Sequence, residues 1–471
     1  MKTKQLLGIL LLALVGLNTT AQTTFQKIYN WAGVVAEDAK SVQQTTDGGY
    51  MITGFIYPPS GGDAQLYFIK TDMFGDTAWF KHYDGIGSGT GGNSVQQTSD
   101  GGYIATGIYQ GGGVYLVKTN NSGDSLWTKK FAVGAIGTAG NSVQQTNDGG
   151  YIIAGTLSTG ADDNIYLLKT NSIGDTLWTK TFSGNGVDFG YSVQQTTDGG
   201  YIIAGETWSF GAGSIDAYLI KTNSNGDTLW TKTFGTANGD GAREVRQTTD
   251  GGYIICGLSN GDIKLIKTNA SGNLVWQQNF GGINLDIGNS VKQTNDGGYI
   301  ITGYIQRFDT GIGIWINEAH LIKTNSVGTQ LWDRNYGTVG TEGFSVQQTT
   351  DGGYIATGAS SRIFLLKTDS LGNVAPTGIS TNFIQGNEIL IFPNPSNGVF
   401  ELKSEMENEK SEIKIYNALG EIIYQSEIKN DKTEIDLSSQ PKGIYFYQIT
   451  SPFPSGVGRG EAISSGKIIV Q

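Results

Sequence analysis

The chain has 471 residues with a formal net charge of −11, 71 glycines, two histidines and one cysteine. The acidic balance argues against a nucleic-acid surface and against electrostatic attachment to anionic lipid. The lone cysteine, Cys256, excludes a disulfide framework within the chain. Because alanine or threonine takes its place in sister repeats, we interpret it as a small buried side chain. His82 and His320 complete neither a zinc site nor a Ser-His-Asp triad.

Residues 1–21 have the pattern of a secretory signal peptide. Lys2 and Lys4 give the basic start, an apolar run follows over 6–17, and small residues close the segment. The run is too short for a membrane span, and no later stretch approaches the ~20 apolar residues that a spanning helix needs. We therefore expect export to the periplasm, a mature chain that begins near Gln22, and no transmembrane segment.

A repeat of the form Ser-Val-Gln-Gln-Thr, Asp-Gly-Gly, Tyr-Ile-Ile-Ala-Gly then occurs seven times, about every 50 residues. Each copy has four short runs rich in β-branched and aromatic residues, separated by turn residues, which predicts a four-stranded antiparallel meander. Such units repeated around an axis form a β-propeller. The fold class predicted for 22–378 is all-β, a seven-bladed β-propeller. The turn aspartates are Asp47, Asp100, Asp148, Asp198, Asp250, Asp296 and Asp351.

The seventh copy lacks a fourth strand, because the sequence breaks into Val374-Ala375-Pro376 where that strand is due. The segment 25–29 aligns instead with the fourth-strand segment 178–182 of another copy. We predict that this N-terminal strand completes the last blade. The pairing would cover an exposed sheet edge and tie the two ends of the domain together.

Residues that are constant among the copies are expected to maintain the blade. A glutamine on the innermost strand predicts a ring of hydrogen bonds between blades, because a buried amide needs partners. A constant lysine is interpreted as a solvated strand end, and the fourth-strand tryptophan as core. The glutamines are Gln44, Gln97, Gln145, Gln195, Gln247, Gln293 and Gln348; the lysines are Lys70, Lys118, Lys169, Lys221, Lys267, Lys323 and Lys367; the tryptophans are Trp79, Trp127, Trp178, Trp230, Trp276 and Trp332.

A binding site is expected on the face of the ring where the loops vary in length. These loops follow strands two and four, and function concentrates in variable loops on a rigid scaffold. The loops over 55–65, 206–216 and 304–319 carry aromatic side chains that can stack on sugar rings or anchor a protein partner. The alternative is that they pack within their own loops. The predicted ligand-binding residues are Tyr57, Trp208, Phe210, Tyr304, Arg307 and Trp315.

Acidic residues recur five positions before the first-strand valine in four copies, which predicts a partial ring near the mouth of the pore. Carboxylate oxygens are hard ligands that suit Ca²⁺. The alternative is loop capping through Asx-type hydrogen bonds. No other cofactor is predicted. The four residues are Glu37, Asp188, Asp240 and Asp286.

The composition changes after a predicted linker over 379–386, because Glu and Lys rise and the repeat stops. About seven short strand-like runs within 387–471 predict a small Ig-like β-sandwich. This segment resembles the type A C-terminal sorting domain of the type IX (Por) secretion system of Bacteroidetes. The resemblance implies recognition by the type IX machinery and a place outside the cell or on its surface. It rests on Ile-Phe-Pro-Asn-Pro-Ser-Asn-Gly at 391–398, Ile-Tyr-Asn-Ala-Leu-Gly at 415–420, Ile-Asp-Leu at 435–437, Lys-Gly-Ile-Tyr at 442–445 and Lys-Ile-Ile-Val at 467–470.

The leading functional hypothesis is a secreted or surface-attached β-propeller that binds glycan or protein ligands without catalysis. The repeats are similar to Gly-rich propeller repeats of secreted bacterial proteins, a similarity that concerns fold and not chemistry. One alternative is an extracellular polysaccharide-acting enzyme, because two loop carboxylates at a suitable separation would suffice for glycoside cleavage. A second alternative is a passive structural protein of the cell surface.

Overall fold

The computed structural model of the chain contains β-strands and the turns that join them, with no helix among the residues it describes. The chain divides into two compact units, Met1–Ala375 and Pro376–Gln471. The predicted signal peptide and the predicted linker lie outside the described residues. In the described part of the chain, no helix is long and apolar enough to cross a membrane. The described residues are 22–29, 36–57, 63–83, 89–109, 111–131, 137–160, 162–282, 284–309, 313–337, 340–359, 362–374, 389–392, 396–404, 411–417, 420–428, 432–450 and 462–470.

The described residues of the first unit form 28 strands, which are arranged in seven four-stranded antiparallel sheets. In chain order the strands are β1 (Phe25–Tyr29), β2 (Ala36–Gln44), β3 (Tyr50–Tyr57), β4 (Gln65–Thr71), β5 (Thr77–Tyr83), β6 (Thr90–Gln97), β7 (Tyr103–Tyr109), β8 (Val114–Thr119), β9 (Ser125–Phe131), β10 (Ala139–Gln145), β11 (Tyr151–Ser158), β12 (Asp163–Thr170), β13 (Thr176–Phe182), β14 (Asp188–Gln195), β15 (Tyr201–Thr207), β16 (Asp216–Thr222), β17 (Thr228–Phe234), β18 (Asp240–Gln247), β19 (Tyr253–Ser259), β20 (Asp262–Thr268), β21 (Leu274–Phe280), β22 (Ile287–Gln293), β23 (Tyr299–Asp309), β24 (Ile314–Thr324), β25 (Gln330–Tyr336), β26 (Glu342–Gln348), β27 (Tyr354–Ala359) and β28 (Ile363–Thr368).

Six sheets are meanders of four consecutive strands, and they begin at β2, β6, β10, β14, β18 and β22. The seventh has the order β1-β28-β27-β26, so the most N-terminal strand is its outer strand. β1 pairs with β28 along its whole length, from Phe25 opposite Lys367 to Tyr29 opposite Ile363. The hydroxyl of Tyr29 donates to the backbone carbonyl of Gly75 in the first sheet at 2.7 Å.

The burial of the fourth sheet, β14 to β17, is explained by its neighbours. The two middle strands, β15 and β16, are buried along their whole length, which matches their almost continuous apolar sequence. One core cluster joins Leu167 of the third sheet to Ile203 of the fourth, so neighbouring sheets pack face to face. The outer strand β17 alternates exposed and half-buried residues, as its alternating sequence indicates.

The Asp-Gly-Gly turn needs both of its glycines. In the fourth sheet Gly199 has a φ of +82°, a left-handed conformation that other residues adopt only with strain. Gly200 needs no positive φ, but a Cβ on it would lie 2.1 Å from the carbonyl oxygen of Thr222. The turn therefore fixes both a backbone conformation and a close approach between β15 and the end of β16.

The interpretation of the constant lysine as a solvated strand end was wrong. In the fourth sheet Lys221 is buried, and its Nζ lies 2.9 Å from Oδ2 of Asp198 and 2.8 Å from the carbonyl oxygen of Thr222. The reason is topological, since the turn after the first strand and the end of the third strand share one face. Burial raises the pKa of Asp198, but hydrogen bonds from Thr196 and Lys221 outweigh this and lower it to about 2. The same Lys-Asp pair occurs in all seven sheets.

The predicted ring of hydrogen bonds through the first-strand glutamine is confirmed. Oε1 of Gln195 accepts the backbone N–H of Asn147, in the preceding sheet, at 2.9 Å. The equivalent bond occurs at each of the five remaining junctions between successive sheets. The last sheet is joined to the first in the same way, because Oε1 of Gln44 accepts the backbone N–H of Thr350 at 2.8 Å.

The fourth-strand tryptophan is half-buried between neighbouring sheets. Trp178 packs edge-to-face on Tyr201 of the next sheet, with ring centroids 5.9 Å apart. Its ring also covers Gly226, where a Cβ would lie 2.7 Å from the indole. The tryptophan therefore belongs to the packing between sheets, at the margin of the core that the sequence predicts.

The described strands of the second unit are β29 (Ile389–Phe392), β30 (Val399–Ser404), β31 (Ser411–Tyr416), β32 (Ile422–Ile428), β33 (Lys432–Asp436), β34 (Gly443–Thr450) and β35 (Ala462–Val470). They form two antiparallel sheets, with the orders β29-β30-β33 and β32-β31-β34-β35. Leu402 of the first sheet and Ile413 and Ile449 of the second are fully buried in one shared core.

Candidate binding site at the mouth of the central cavity

The first strands of the seven sheets line a central cavity of about 760 Å³. Serine, glutamine and asparagine dominate its wall. Small-molecule sites have volumes of roughly 300–1,000 Å³, so this cavity is large enough to hold a ligand. Unlike the usual apolar pocket, it presents mainly hydrogen-bonding groups to its contents.

Two rings of side chains line the cavity at different heights. The upper ring is formed by the residue two positions before the first-strand valine, and the lower ring by the residue directly after it. Because variable loops lead into each first strand, the upper ring lies nearer to the variable-loop face, at the mouth of the cavity. The upper ring is Lys40, Asn93, Asn141, Tyr191, Arg243, Asn289 and Phe344; the lower ring is Gln43, Gln96, Gln144, Gln194, Arg246, Lys292 and Gln347.

Tyr191 and Arg243 of the upper ring form a network with Glu206 of β15. The guanidinium carbon of Arg243 lies 4.3 Å from the centroid of the Tyr191 ring. Nη2 of Arg243 lies 3.0 Å from Oε1 of Glu206, and the Tyr191 hydroxyl donates to Oε2 at 3.3 Å. Burial raises the pKa of Glu206 against the opposing effect of Arg243, and burial also raises the pKa of Tyr191 to about 12. The network holds a cation, a carboxylate and an aromatic ring together at the mouth.

Trp208, one of the predicted ligand-binding residues, lies next to this network and is 40% exposed. Its ring packs edge-to-face on Phe189 with centroids 5.6 Å apart, and the Phe189 ring lies 6.2 Å from that of Tyr191. The backbone N–H of Trp208 donates to the carbonyl of Val187 at 2.9 Å. Trp208, Phe189 and Tyr191 thus form a continuous aromatic row from the variable loop to the wall of the cavity.

Asp188 fixes the loop that carries Trp208. Its carboxylate accepts hydrogen bonds from the hydroxyls of Thr207 and Ser209, the second at 2.8 Å. Oγ1 of Thr207 accepts in turn the backbone N–H groups of Ser209 and Phe210, at 3.0 and 3.2 Å. Asp188, predicted as a metal ligand, therefore caps a loop and sets the position of the tryptophan.

The other predicted aspartates, Asp240 and Asp286, cap their own loops. Asp240 accepts the backbone N–H of Thr236 at 2.7 Å and its hydroxyl at 3.0 Å, while Asp286 accepts the backbone N–H of Gln306 at 2.9 Å. Glu37 is buried near the start of β2. Within the described ranges, no group of three or more His, Cys, Asp or Glu side chains is placed to hold a metal ion. Loop capping, the alternative to a Ca²⁺ site, accounts for the three aspartates.

Phe210, the second predicted aromatic of the same loop, is exposed and lies 5.4 Å from the Tyr218 ring between centroids. The far end of the loop is fixed by Asp216, whose Oδ2 accepts the backbone N–H groups of Ala212 and Gly213 at 3.0 and 3.1 Å. Both ends of the loop are therefore held by buried carboxylates, and its aromatic side chains are presented in set positions.

Tyr57 lies at the end of β3 and belongs to a second aromatic group at the mouth. It is exposed and packs edge-to-face on Phe55, with centroids 5.9 Å apart. Nζ of Lys40 lies 5.8 Å from the centroid of the Phe55 ring and 3.8 Å from that of Phe344. Lys40 and Phe344 are upper-ring residues, so the first and seventh sheets also bring a cation and aromatic rings to the mouth.

The prediction of a long loop over 304–319 was wrong for residues 304–309 and 314–319, which lie in strands. β23 continues to Asp309 and β24 starts at Ile314, so two extended strands form a long hairpin. Phe308 lies opposite Trp315 in the register, and their rings pack edge-to-face at 5.2 Å between centroids. Such cross-strand pairs stabilise an extended hairpin, which the extra length of this repeat alone does not indicate.

Tyr304 and Arg307 lie at different heights on this hairpin. Tyr304 is half-buried at its base, where burial, Glu342 and Asp286 raise its pKa against the opposing effect of Arg243. Arg307 is exposed near the tip, and its Nη2 lies 2.7 Å from Oε1 of Glu318. Tyr304 therefore lies at the base of the hairpin, whereas Arg307 and Trp315 lie near its tip.

The sequence prediction missed the upper-ring residues Tyr191, Arg243, Lys40 and Phe344. The signal lay in the repeat itself. Three copies carry asparagine at this position and the other four depart from it. An alignment of the copies position by position marks these four departures, at a side chain that lines the cavity.

The family described as the secretion system C-terminal sorting domain matches residues 390–455. No curated protein matches the chain. A sorting domain of this kind implies secretion through the type IX system, to the outside of the cell or to its surface.

Among solved structures, the chain is similar to the extracellular domains of two hybrid two component systems from B. thetaiotaomicron. One is 11% identical with a TM-score of 0.40, and the match covers 95% of this chain and 57% of that one. The other is 11% identical with a TM-score of 0.43, covering 94% and 59%. Sqt1 from Chaetomium thermophilum is 12% identical with a TM-score of 0.42, covering 72% and 98%.

The chain thus spans somewhat more than half the length of the two B. thetaiotaomicron structures. At these identities the resemblance is one of fold alone. The second unit carries the C-terminal sorting domain of the type IX (Por) secretion system at 390–455, and it follows a first unit with a propeller-like all-β fold.

Proposed function

We propose that the first unit is a seven-bladed β-propeller, closed by β1, that binds an extracellular glycan at the mouth of its central cavity. The hydrogen bond between Gln44 and Thr350 and the pairing of β1 with β28 support closure. We further propose a signal peptide over 1–21, a linker over 379–386 and an Ig-like sandwich in the second unit. The mature protein would then reach the cell exterior through the type IX system with the mouth open to ligands.

The observation that carries the glycan proposal is the aromatic row beside a charged network. Sugar rings present apolar faces, which stack on aromatic side chains, and hydroxyls, which bond to charged groups. Trp208 offers an exposed ring, and Arg243 and Glu206 lie at the inner end of the row. Since Asp188 already holds the Trp208 loop in place, little conformational entropy would be lost by this loop on binding.

A glycan fits this face better than a protein partner. Protein-binding hot spots cluster at the centre of contiguous, desolvated interfaces. Here the exposed aromatics Trp208, Tyr57 and Trp315 belong to three different repeats, with Trp315 near the tip of the long hairpin, and the wall of the cavity is polar. Separate aromatic platforms around a polar opening suit an extended chain of sugar units.

Binding without bond cleavage is favoured by the way the carboxylates at the mouth are engaged. Both oxygens of Glu206 have partners, in Arg243 and Tyr191. The carboxylate of Asp188 accepts two hydroxyl groups. A passive structural role is disfavoured because the departures from the repeat at the upper ring bring cations and aromatic rings to one opening.

The proposal is tested by affinity electrophoresis of the mature chain, 22–471, through gels containing individual polysaccharides. We expect at least one polysaccharide to retard the wild type, and Trp208→Ala to abolish most of that retardation. The matched control is Leu229→Ala, which removes an equally exposed apolar side chain, 58% accessible, from the outer strand of the same sheet. Equal retardation of Trp208→Ala and Leu229→Ala would contradict the site. Recovery of shortened polysaccharide chains would favour the enzyme alternative.

A further inference from the structure

The lower ring of the cavity has an unusual polarity. Five of its seven members are glutamines, and the side-chain oxygen of each accepts a backbone N–H from the next sheet at 2.6–2.9 Å. The backbone group can only donate, so it identifies the bonded side-chain atom as oxygen. These glutamines are Gln43, Gln96, Gln144, Gln194 and Gln347.

The amide nitrogens of these five glutamines are left as donors. None of them has a hydrogen-bond partner among the described residues, and the five side chains line the cavity. The neighbouring glutamine on the same strand behaves differently. Gln195, for example, accepts with its oxygen and donates with Nε2 to the carbonyl of Gly199 at 3.4 Å. The lower ring therefore presents N–H groups to the cavity with their oxygens already used.

The two remaining members of the ring, Arg246 and Lys292, are cations. Both contact the same oxygen, Oε1, of Glu244. The other oxygen of Glu244 accepts the hydroxyl of Ser290 and the backbone N–H of Val291, each at 2.7 Å. One carboxylate thus serves two cations, and the ring keeps one net positive charge in a chain whose formal net charge is −11.

Pairing with the single carboxylate of Glu244 balances only one of these two cations. At the other junctions the side chain in this position accepts a backbone N–H of the next sheet, which a guanidinium or an ammonium group cannot do. Arg246 and Lys292 therefore forgo the bonds that a glutamine would make to the backbone N–H groups of Gln293 and Gln348. The contact of Lys292 with Glu244 restores one bond between sheets, but one lost bond and one unbalanced positive charge remain, which points to a gain elsewhere.

We propose that the lower ring binds an oxyanion of carboxylate size, seated against Arg246 and Lys292 and flanked by the amide nitrogens of Gln194 and Gln347. Seven adjacent donors with a net positive charge complement such an anion, and charge-assisted hydrogen bonds are the strong ones. The anion enters as a free small ion or as the carboxylate of an acidic sugar. The proposal is independent of the glycan site at the mouth, which lies one ring higher.

The site is expected to weaken in alkali. Burial and Arg246 lower the pKa of Lys292 to about 8, although 26% of its side chain remains exposed to the cavity. Glu244 and Cys256 act in the opposite direction. Glu244 itself keeps its charge, because Arg246 and Lys292 outweigh burial and lower its pKa to about 2. The ammonium group is therefore lost as the pH rises through about 8, and anion affinity falls with it.

The test is calorimetric titration of the mature chain at pH 7 with acetate, glucuronate and glucose. We compare the wild type with the triple variant Glu244→Ser, Arg246→Gln, Lys292→Gln, which installs the residues common to the sister repeats. The wild type should bind both carboxylates, and the triple variant should bind them at least ~10-fold more weakly, a loss of about 1.4 kcal/mol. The control Lys180→Gln removes one charge from the outer strand β13, away from the cavity, and should leave the affinity unchanged.

The outcomes separate this proposal from glycan binding. Equal affinity for acetate and glucuronate would indicate a free small anion, and tighter binding of glucuronate an acidic sugar, and both support the site. If glucose bound as tightly as glucuronate and the triple variant were unaffected, the measured heat would come from binding at the glycan site. That result would overturn the anion proposal. An absence of binding by the wild type would overturn it as well.

A second variant guards against misfolding of the triple variant. Lys292→Arg keeps the positive charge but removes a group that titrates near pH 8. Wild-type affinity for acetate should fall between pH 7 and pH 9, and Lys292→Arg should hold it constant. The same fall in both proteins would show that Lys292 does not contact the anion.

Discussion

The outer strand β1 gives a quantitative test of how the two ends of the first unit are joined. Phe25→Ala removes a ring that is 8% exposed, packs on Tyr50 with centroids 6.0 Å apart and covers Gly75 of the first sheet. Truncating a buried phenylalanine costs about 3–5 kcal/mol, through lost burial and the cavity left behind. With about 2.1 cal/mol/K of unfolding entropy per residue, a unit of this size should lose roughly 5 °C in Tm.

The matched control on the same strand is Ile28→Ala. The side chain of Ile28 is 43% exposed, so its truncation should cost less than about 1 kcal/mol. All nine tryptophans precede Pro376, so their fluorescence during heating of the mature chain reports the first unit alone. An unchanged Tm for Phe25→Ala, or an equal fall for both variants, would refute the reasoning that β1 is an integral strand of the seventh sheet.

Three further predictions concern the fourth sheet. Asp188→Ala should release the Trp208 loop at a cost of roughly 1–3 kcal/mol and weaken retardation by polysaccharide; unaltered retardation would exclude the loop from the site. Because hydrogen bonds lower the pKa of Asp198 to about 2, below the ordinary value near 4, its stabilisation is present above about pH 4 and is lost as the pH falls toward 2. Asp198→Asn should therefore reduce the loss of stability in an acid titration followed by tryptophan fluorescence. Gly200→Ala should lower the Tm measurably, because its Cβ would lie 2.1 Å from the carbonyl oxygen of Thr222, and a wild-type Tm would contradict that crowding.

The sequence predicted the parts of the fold that depend on local pattern. The spacing of the Asp-Gly-Gly turns and the alternation in the fourth run predicted the four-stranded units. The need of a buried amide for partners predicted the bond from Asn147 to Gln195. Each of these inferences uses residues within one repeat, or a repeat and its neighbour, and the seven copies reinforced it.

The errors arose where the deciding partner is distant in the sequence. Lys221 was interpreted as solvated because it stands at the end of its strand, yet its partner Asp198 lies 23 residues earlier. The arms of the hairpin were taken for a loop because the pairing of Phe308 with Trp315 joins two separate strands and is not visible in either strand alone. Tertiary proximity, and not local propensity, determines both outcomes.

The candidate site was predicted only in part for the same reason. Exposed aromatics such as Trp208 were recognised from the loop sequence alone. The upper-ring partners were not, since Arg243 meets Tyr191 only when the fourth and fifth sheets stand side by side. Asp188 was noticed for its charge, but its role as the cap of the Trp208 loop depends on hydroxyl groups that follow the next strand.

The most direct test of glycan binding at the mouth is the affinity of the mature chain for an oligosaccharide of the polysaccharide that retards it. Titration calorimetry should give an affinity at least ~10-fold weaker for Trp208→Ala, a loss of about 1.4 kcal/mol. Tyr191→Phe removes only the hydroxyl that contacts Glu206 and should weaken binding less. If Trp208→Ala bound the oligosaccharide with wild-type affinity, the ligand would bind elsewhere and the aromatic row would not be the site.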